Sequence, residues 1–379
     1  MKLRTLIAAA SIAALGAGMA YAEGGKVKVG MITTLSGGGA GLGIDVRDGF
    51  VLAAKGNENL ELVIEDDQRK PDVAVQLTDK LIQSEKVDVL TGIIWSNLAM
   101  AVVPAATAQG KFYLSPNAGP SALAGKGCSP LYFNVAWQND AFYEAGGMWA
   151  SDNGIEKVFL MAPNYPAGTD GMNGFKRTFK GEVVGEVYTK LGQTDYAAEI
   201  AQIRASDADT VYFFLPGGMG ISFMKQFAGS GVEKNVMGPA FSFDQGILGA
   251  IGDAALGVKN TSHWSKDIDN AANKKFVADF QAEYGRLPSL YAAQGYDTAL
   301  LLQSAMGKAD VNDAAAFQAA LEEADFASVR GDFAFAPNHH PIQDIYMREV
   351  IKEGDVVTNK IIGVASSDHQ DVYGADCKM

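Results

Sequence analysis

From Lys26 onward the chain repeats one pattern: a short apolar run, a turn, then an amphipathic stretch. Lys26–Thr33 (KVKVGMIT), Leu60–Asp66 (LELVIED), Val87–Ile94 and Lys111–Ser115 read as strands. Between them, helices are expected over Ile44–Lys55, Asp72–Glu85 and Leu98–Gln109; in the second, Val73, Leu77, Leu81 and Ile82 share one face. Alternation at this spacing predicts parallel strands with helices on both faces of the sheet. The rhythm then restarts, with strands at Val158–Ala162, Val183–Tyr188, Thr210–Leu215 and Val236–Gly238 and helices near Gly171–Phe179, Tyr196–Ala205 and Met219–Ala228. Two consecutive units of this kind predict an α/β protein with two lobes. After Trp264 the chain turns mostly helical, over Asn273–Tyr284, Leu290–Met306 and Asp313–Ala324. Helices alone cannot complete a third unit, so they are expected to return to the first lobe. Strands near Val329–Phe335 and Asp344–Val350 are then expected to rejoin the second.

Composition narrows the function. The 379 residues carry a net charge of −13 with no Lys/Arg cluster, which argues against nucleic-acid binding and against an electrostatic hold on anionic lipid. Lys2 and Arg4 precede an apolar run, Leu6–Ala20, too short for a comfortable membrane span, and Ala20-Tyr21-Ala22 offers small residues for cleavage after Ala22. Residues 1–22 are therefore expected to be a secretory signal peptide. Export gives Cys128 and Cys377 an oxidising compartment, where they are expected to pair and tie the C-terminal tail to the first lobe; two buried thiols are the alternative.

Enzyme motifs fail when tested. The run GGGAGLG (Gly37–Gly43) lacks the G-x-G-x-x-G spacing and starts too far past the strand, so no dinucleotide cofactor is expected. Phosphate-loop, H-E-x-x-H, C-x-x-C and G-x-S-x-G patterns are missing from the sequence. His339-His340 point in different directions and read as a solvated turn, not a metal site; His369 lies in a polar tail. Asp66-Asp67 read as capping or interlobe carboxylates.

Ligands of open α/β sheets bind beyond the carboxyl ends of the strands. In the first lobe those ends carry Trp95, Ser96 and Asn97, then Asn117, Ala118 and Gly119, with Trp137, Gln138 and Asn139 at the next crossing. The second lobe offers Asn164, Tyr165, Gly217, Gly218, Met219 and Phe241, and a further crossing gives His263 and Trp264. Three of the four tryptophans fall here, each a flat apolar surface suited to stacking on a ring. Lys and Arg are missing from this set, so an anion would be held by backbone N–H groups and a helix N-terminus such as the one at Ser96–Asn97.

Val29–Gly49, Leu60–Gln76, Tyr113–Pro130, Leu191–Phe214 and Tyr291–Leu302 together resemble the periplasmic solute-binding proteins of ABC transporters, in the branched-chain amino-acid (Leu/Ile/Val) group. The resemblance implies a type I periplasmic binding protein: two Rossmann-like lobes joined by three crossings, closing on a small ligand by hinge motion. The implied division is residues 23–138 plus 264–328 for the N-terminal lobe, 139–263 plus 329–353 for the C-terminal lobe, and 354–379 as a tail returning to the first. It implies a periplasmic monomer with no cofactor or metal, no catalysis and a membrane permease as partner. The family's contact serine falls on Ser96 and its following pair on Ala118 and Gly119. Gly119 stands where amino-acid binders usually carry a hydroxyl, and Gly238-Pro239 is followed by Ala240 where the Leu/Ile/Val binders place a carboxylate for the α-ammonium. Second-lobe tyrosines are replaced by Ala167 and Gly217 or Gly218, although Tyr165 is near and Asp244 is close in sequence. The N-A-G-P-S and W-Q-N-D segments resemble a branch taking benzoate- or hydroxycinnamate-type acids. A hydrophobic amino acid is the alternative.

Overall fold

The computed structural model describes residues 26–379; the expected signal peptide and its cleavage point lie outside these residues. The chain begins β1 (Val27–Thr33), α1 (Ala40–Ala54), β2 (Leu60–Asp66), α2 (Pro71–Gln83) and β3 (Val89–Thr91). It continues α3 (Ser96–Ala108), β4 (Phe112–Ser115), α4 (Ser121–Ala124) and β5 (Tyr132–Asn134). These strands form a parallel sheet in the order β2-β1-β3-β4-β5. β1 lies inside it, between β2 and β3, and every residue but Lys28 is buried, as expected for a strand covered on both faces. α2 starts with Pro71 at its first turn and Asp72 beside it, which suits the unpaired N–H groups and positive dipole end there.

The second unit runs α5 (Ala141–Asp152), β6 (Lys157–Pro163), α6 (Pro166–Thr178), β7 (Glu182–Thr189) and α7 (Ala197–Ala205). It continues β8 (Thr210–Phe213), α8 (Gly218–Gly229), β9 (Asn235–Pro239), α9 (Gln245–Ile251) and β10 (Lys259–Ser262). Three helices follow, α10 (Ala271–Tyr284), α11 (Leu290–Met306) and α12 (Ala314–Glu322), then β11 (Phe333–Phe335), β12 (Pro341–Glu353) and β13 (Val356–His369). The second sheet has the order β11-β12-β10-β9-β8-β6-β7, with β13 along the other edge of β12. The late helices do return to the first lobe. α11 lies so close on α1 that a Cβ on Gly49 would stand 1.9 Å from the Ala292 carbonyl oxygen, and one on Gly295 2.0 Å from that of Val46. Only glycine fits at both crossing points.

The tail departs from expectation. Residues 354–369 do not return to the first lobe: β13 pairs antiparallel along β12 through a turn at Gly354-Asp355, with Gly354 at φ 59°. Gly supplies the positive φ that a two-residue hairpin needs. Only the last ten residues cross back, where Cys377 is disulfide-bonded to Cys128 with a Cα–Cα separation of 5.6 Å. On the way Tyr373 donates its hydroxyl proton to Asp140 Oδ2 at 2.7 Å. The bond closes a loop with a sequence separation of 249. Replacing both cysteines with serine is expected to lower unfolding stability by about 2–4 kcal/mol, read as a shift in the urea midpoint.

Candidate functional site

The carboxyl ends of β3, β4, β6 and β8 face one another across the seam between the lobes, which touch. Ser121, entering α4, donates its hydroxyl to Asp170 Oδ1 at 2.7 Å and its backbone N–H to Oδ2 at 3.0 Å. A narrow cavity of about 20 Å³ lies in this seam, room for about one water, so a ring can enter only as the lobes part. Its first-lobe wall is Ile94, Trp95, Ser96, Asn117 and Ala118, with Leu42 and Tyr291 above; Trp137 and Asn139 come from the first crossing, Tyr143 from α5, and Tyr165, Ala167, Phe214, Pro216 and Phe241 from the second lobe. Among the described residues that line it, none is Asp, Glu, Lys, Arg or His.

The walls are aromatic and rigidly held. The Trp95 Nε1–H donates to Thr34 Oγ1 at 3.0 Å, and its ring centroid lies 6.2 Å from that of Tyr165 across the seam. Trp137 packs on Phe241 with centroids 4.5 Å apart, and Phe241 stacks on Phe142 at 5.0 Å. Polar groups are few and sorted. Ser96 opens α3, whose first N–H groups have no helical partner and carry the positive end of the helix dipole. Asn139 is fully engaged: its NH₂ donates to Asp170 at 2.9 Å and Ser96 Oγ at 3.2 Å, and its oxygen accepts from the Gly119 N–H at 3.3 Å. Asn117 donates to the Ile94 carbonyl at 2.6 Å. The buried Tyr143 hydroxyl has no partner. Burial, and then the neighbouring phenols, push Tyr143 well above the ordinary tyrosine range; burial, and then the Asp244 carboxylate, do the same to Tyr291, and burial also raises Tyr165. All three therefore keep their protons and can donate them.

Eight of the expected site residues meet here: Trp95, Ser96, Asn117, Ala118, Trp137, Asn139, Tyr165 and Phe241. The others do not line the slot. Asn97 lies in the first turn of α3 but off the slot, and Asn164 is exposed. Gly119 sits behind the wall, where a Cβ would stand 1.9 Å from the Trp137 carbonyl oxygen; a hydroxyl-bearing residue has no room there. Gly217 belongs to the outer mouth of the seam, and Gly218 begins α8 beside it. Met219 turns its sulfur to the Gly192 N–H at 3.2 Å. His263 is sealed behind Trp137, 5.6 Å between centroids, and burial holds it neutral. Trp264 points away, donating to Asn273 Oδ1 at 2.8 Å and lying edge-on to Phe276. The reason is topological: β10 stands two strands from β8, so its end falls beside the returned helices, not over the slot. Trp264→Phe is accordingly expected to cost about 1–3 kcal/mol of stability, through the unpaired Asn273 oxygen, with little effect on ligand affinity; paired melting and titration curves check it.

His339 and His340 also depart from expectation. Both are buried: His339 stacks on Phe133 with centroids 3.9 Å apart and faces Glu322, while His340 turns Nδ1 to the Asn338 carbonyl. Asp66 and Asp67 brace the chain after β1 by accepting from Leu35 N–H and Thr34 Oγ1. Tyr143 and Tyr291 were not among the expected site residues. They stand on helices, outside any inventory of strand ends, although Tyr291 opens the Tyr291–Leu302 segment that carries part of the family resemblance.

Outside the slot, sharing Leu42, Phe241 and Tyr291 with it, is a wider mouth of about 630 Å³. It holds Asp45, Asp244 and Arg286. Asp244 caps α9 and has both oxygens occupied, by the Gly246 and Leu290 N–H groups, each at 3.0 Å. Standing at the mouth and not in the slot lining, it does not replace the missing ammonium partner inside the slot. Asp45 pairs with Arg286 at 2.8 Å.

A sequence family described as periplasmic binding protein matches residues 26–355. The Leu/Ile/Val-binding protein homolog 6 of Brucella melitensis is 30% identical over 369 residues, covering 92% of this chain and 93% of the relative, and that of Brucella abortus is similar to the same degree. Among solved structures, an ABC-transporter solute-binding protein from R. palustris in complex with benzoate superposes with a TM-score of 0.88 at 34% identity, covering 94% of this chain and all of the other. One from Rhodopseudomonas palustris BisB5, in complex with 3,4-dihydroxybenzoic acid, gives 0.83 at 30% identity, with 92% and 99% covered. An isoleucine-bound transporter protein from Streptococcus pneumoniae gives 0.79 at 23% identity, with 89% and 99% covered, a likeness of fold. These relatives bind solutes and are not enzymes, and with its two-lobed α/β fold this chain belongs to the periplasmic binding protein family.

Proposed function

We propose that the protein captures a small aromatic carboxylate between its lobes and delivers it to an ABC-transporter permease. On this reading it acts as a monomer in the periplasm after cleavage following Ala22. The observation that carries the reading is the slot itself: rings on every side, and polar groups that donate protons instead of bearing charge. The ligand's carboxylate would meet the N-terminal N–H groups and hydroxyl of Ser96 and the phenols, while its ring lies among Trp95, Trp137, Tyr165 and Phe241. The two relatives holding benzoate and 3,4-dihydroxybenzoic acid support it. The ligand docks on the first lobe and the second closes over it; because the closed form makes the contacts from both sides, ligand shifts the population toward closure.

A branched-chain amino acid is the competing ligand, given the curated relatives' names. Its ammonium would be buried among these linings with no carboxylate to meet it, at a cost of several kcal/mol. Calorimetric titration decides: micromolar or tighter binding of benzoate or a hydroxybenzoate with no heat from leucine supports the proposal, and the reverse pattern overturns it. Trp95→Ala is expected to weaken aromatic-acid binding by about 1–3 kcal/mol, roughly 5–150-fold, from lost ring contact.

A further inference from the structure

Resting on that reading of the slot, we propose that Asn117 selects aromatic acids whose ring carries a hydroxyl group. The orientation of this amide is fixed. Its NH₂ donates to the Ile94 carbonyl at 2.6 Å, and the flipped amide would set two oxygens against each other at that distance. Oδ1 is therefore turned away from Ile94. It is buried, it has no donor, and its residue lines the slot. Among the described residues that line the slot, the only other amide, Asn139, has spent its groups on Ser96, Gly119 and Asp170. Burial keeps the phenols of Tyr143, Tyr165 and Tyr291 protonated, so they can serve a carboxylate.

The mismatch is one of proton count. A carboxylate only accepts, so it satisfies donors and does nothing for Asn117 Oδ1. Closing over an unsubstituted ring takes that oxygen out of water and gives it no bond in return. A ring hydroxyl supplies the missing proton and leaves no buried acceptor unmade. The class expected to bind best is thus the monocyclic hydroxybenzoates, ahead of benzoate.

The test is a titration of the full mature chain with benzoate, the three hydroxybenzoate isomers and the matching fluorobenzoates. Fluorine fills the position of the hydroxyl and brings no proton. At least one hydroxy isomer is expected to bind about tenfold or more tightly than both benzoate and its fluoro counterpart. In Asn117→Leu that preference is expected to fall below about threefold. Aromatic acids that bind with no hydroxy isomer favoured over its fluoro counterpart overturn the inference and leave the aromatic-acid reading standing. A preference that persists in Asn117→Leu also overturns it, by moving the selection to the phenols. If no aromatic acid binds at all, the reading of the slot fails and this inference with it. Should the variant misfold, the ligand series on the unaltered protein decides alone.

Discussion

Arg330→Ala is expected to destabilise the protein by about 3–5 kcal/mol, seen as a lower urea midpoint at unchanged slope. Arg330 lies in the third crossing and is almost wholly buried. Its Nε donates to Asp297 Oδ2 at 2.9 Å, and its Nη1 donates to Gln343 Oε1 at 2.8 Å and to the Ala136 carbonyl at 3.0 Å. Asp297, from α11, also accepts from Ser328 Oγ at 2.7 Å and the Val329 N–H at 3.0 Å. One guanidinium thus ties the first crossing, the third crossing, α11 and β12 together. Truncating it strands a carboxylate in the interior, which costs far more than the pair itself contributes. The double change Arg330→Met with Asp297→Leu removes both charges and is expected to recover part of the loss. Arg330→Lys is not expected to recover the full stability, because an ammonium cannot reach three acceptors in the plane of the guanidinium. A loss below about 1 kcal/mol for Arg330→Ala would show that water reaches the site and that the network is not what fixes the crossings.

Much of the fold was legible because its strands are short apolar runs and most of its helices have one wet face. β1, β2 and α2 stand where the periodicity puts them. α5 was missed for the opposite reason. Every residue from Ala141 to Gly147 is buried, so no amphipathic face shows, and Gly146-Gly147 lowers the helical propensity further. The tail was misjudged at Gly354-Asp355. A Gly-containing pair flanked by Ile351 and Val356-Val357 is a hairpin signal, and it marks β13.

The site was legible to the extent that it is built from strand ends. Trp95 and Trp137 were identified for that reason and line the slot. Trp264 met the same criterion and does not line the slot, because position along a chain does not say which strands end over the slot, and β10 stands two strands from β8. Tyr143 was hidden with α5. Tyr291 was hidden because a helix that returns from the other end of the chain to roof the slot has no local signature of doing so. Gly119 was read as a departure from the family pattern, and its reason is steric: the Trp137 carbonyl occupies the space a side chain would need.

Ligand affinity is expected to weaken as pH rises from 5.5 to 7 and to level off above about 8. The cause lies at the mouth of the seam. Asp45 belongs to α1 of the first lobe and Asp244 caps α9 of the second. A Cβ on Gly246 would stand 3.2 Å from Asp244 Oδ2 and 3.7 Å from Asp45 Oδ2, so closure sets the two carboxyls face to face. Burial pushes Asp45 up to about 7; Arg286 opposes the rise, Asp244 and Asp48 add to it, and Ser289 lowers it. Asp244 is raised too, chiefly by burial. Tyr291 and Glu353 line the same mouth and complete the groups around the pair. When the lobes part, water returns to Asp45 and its pKa falls toward the ordinary value near 4. The closed form therefore binds the proton more tightly than the open form. Its contribution to closure is fully present below the open-state value and is lost as pH rises through about 7. The slope can reach about tenfold in Kd per pH unit between those limits, since one unit is worth about 1.4 kcal/mol. Keeping the measurement above pH 5.5 holds the ligand's own carboxyl ionised. Closure over ligand near pH 6 should also take up as much as one proton, measurable by titration in buffers of different ionisation heat. Asp45→Asn carries the neutral form permanently, so its affinity should be nearly independent of pH and, at pH 8, tighter than that of the unaltered protein. An unaltered slope in Asp45→Asn would place the titrating group elsewhere in the seam.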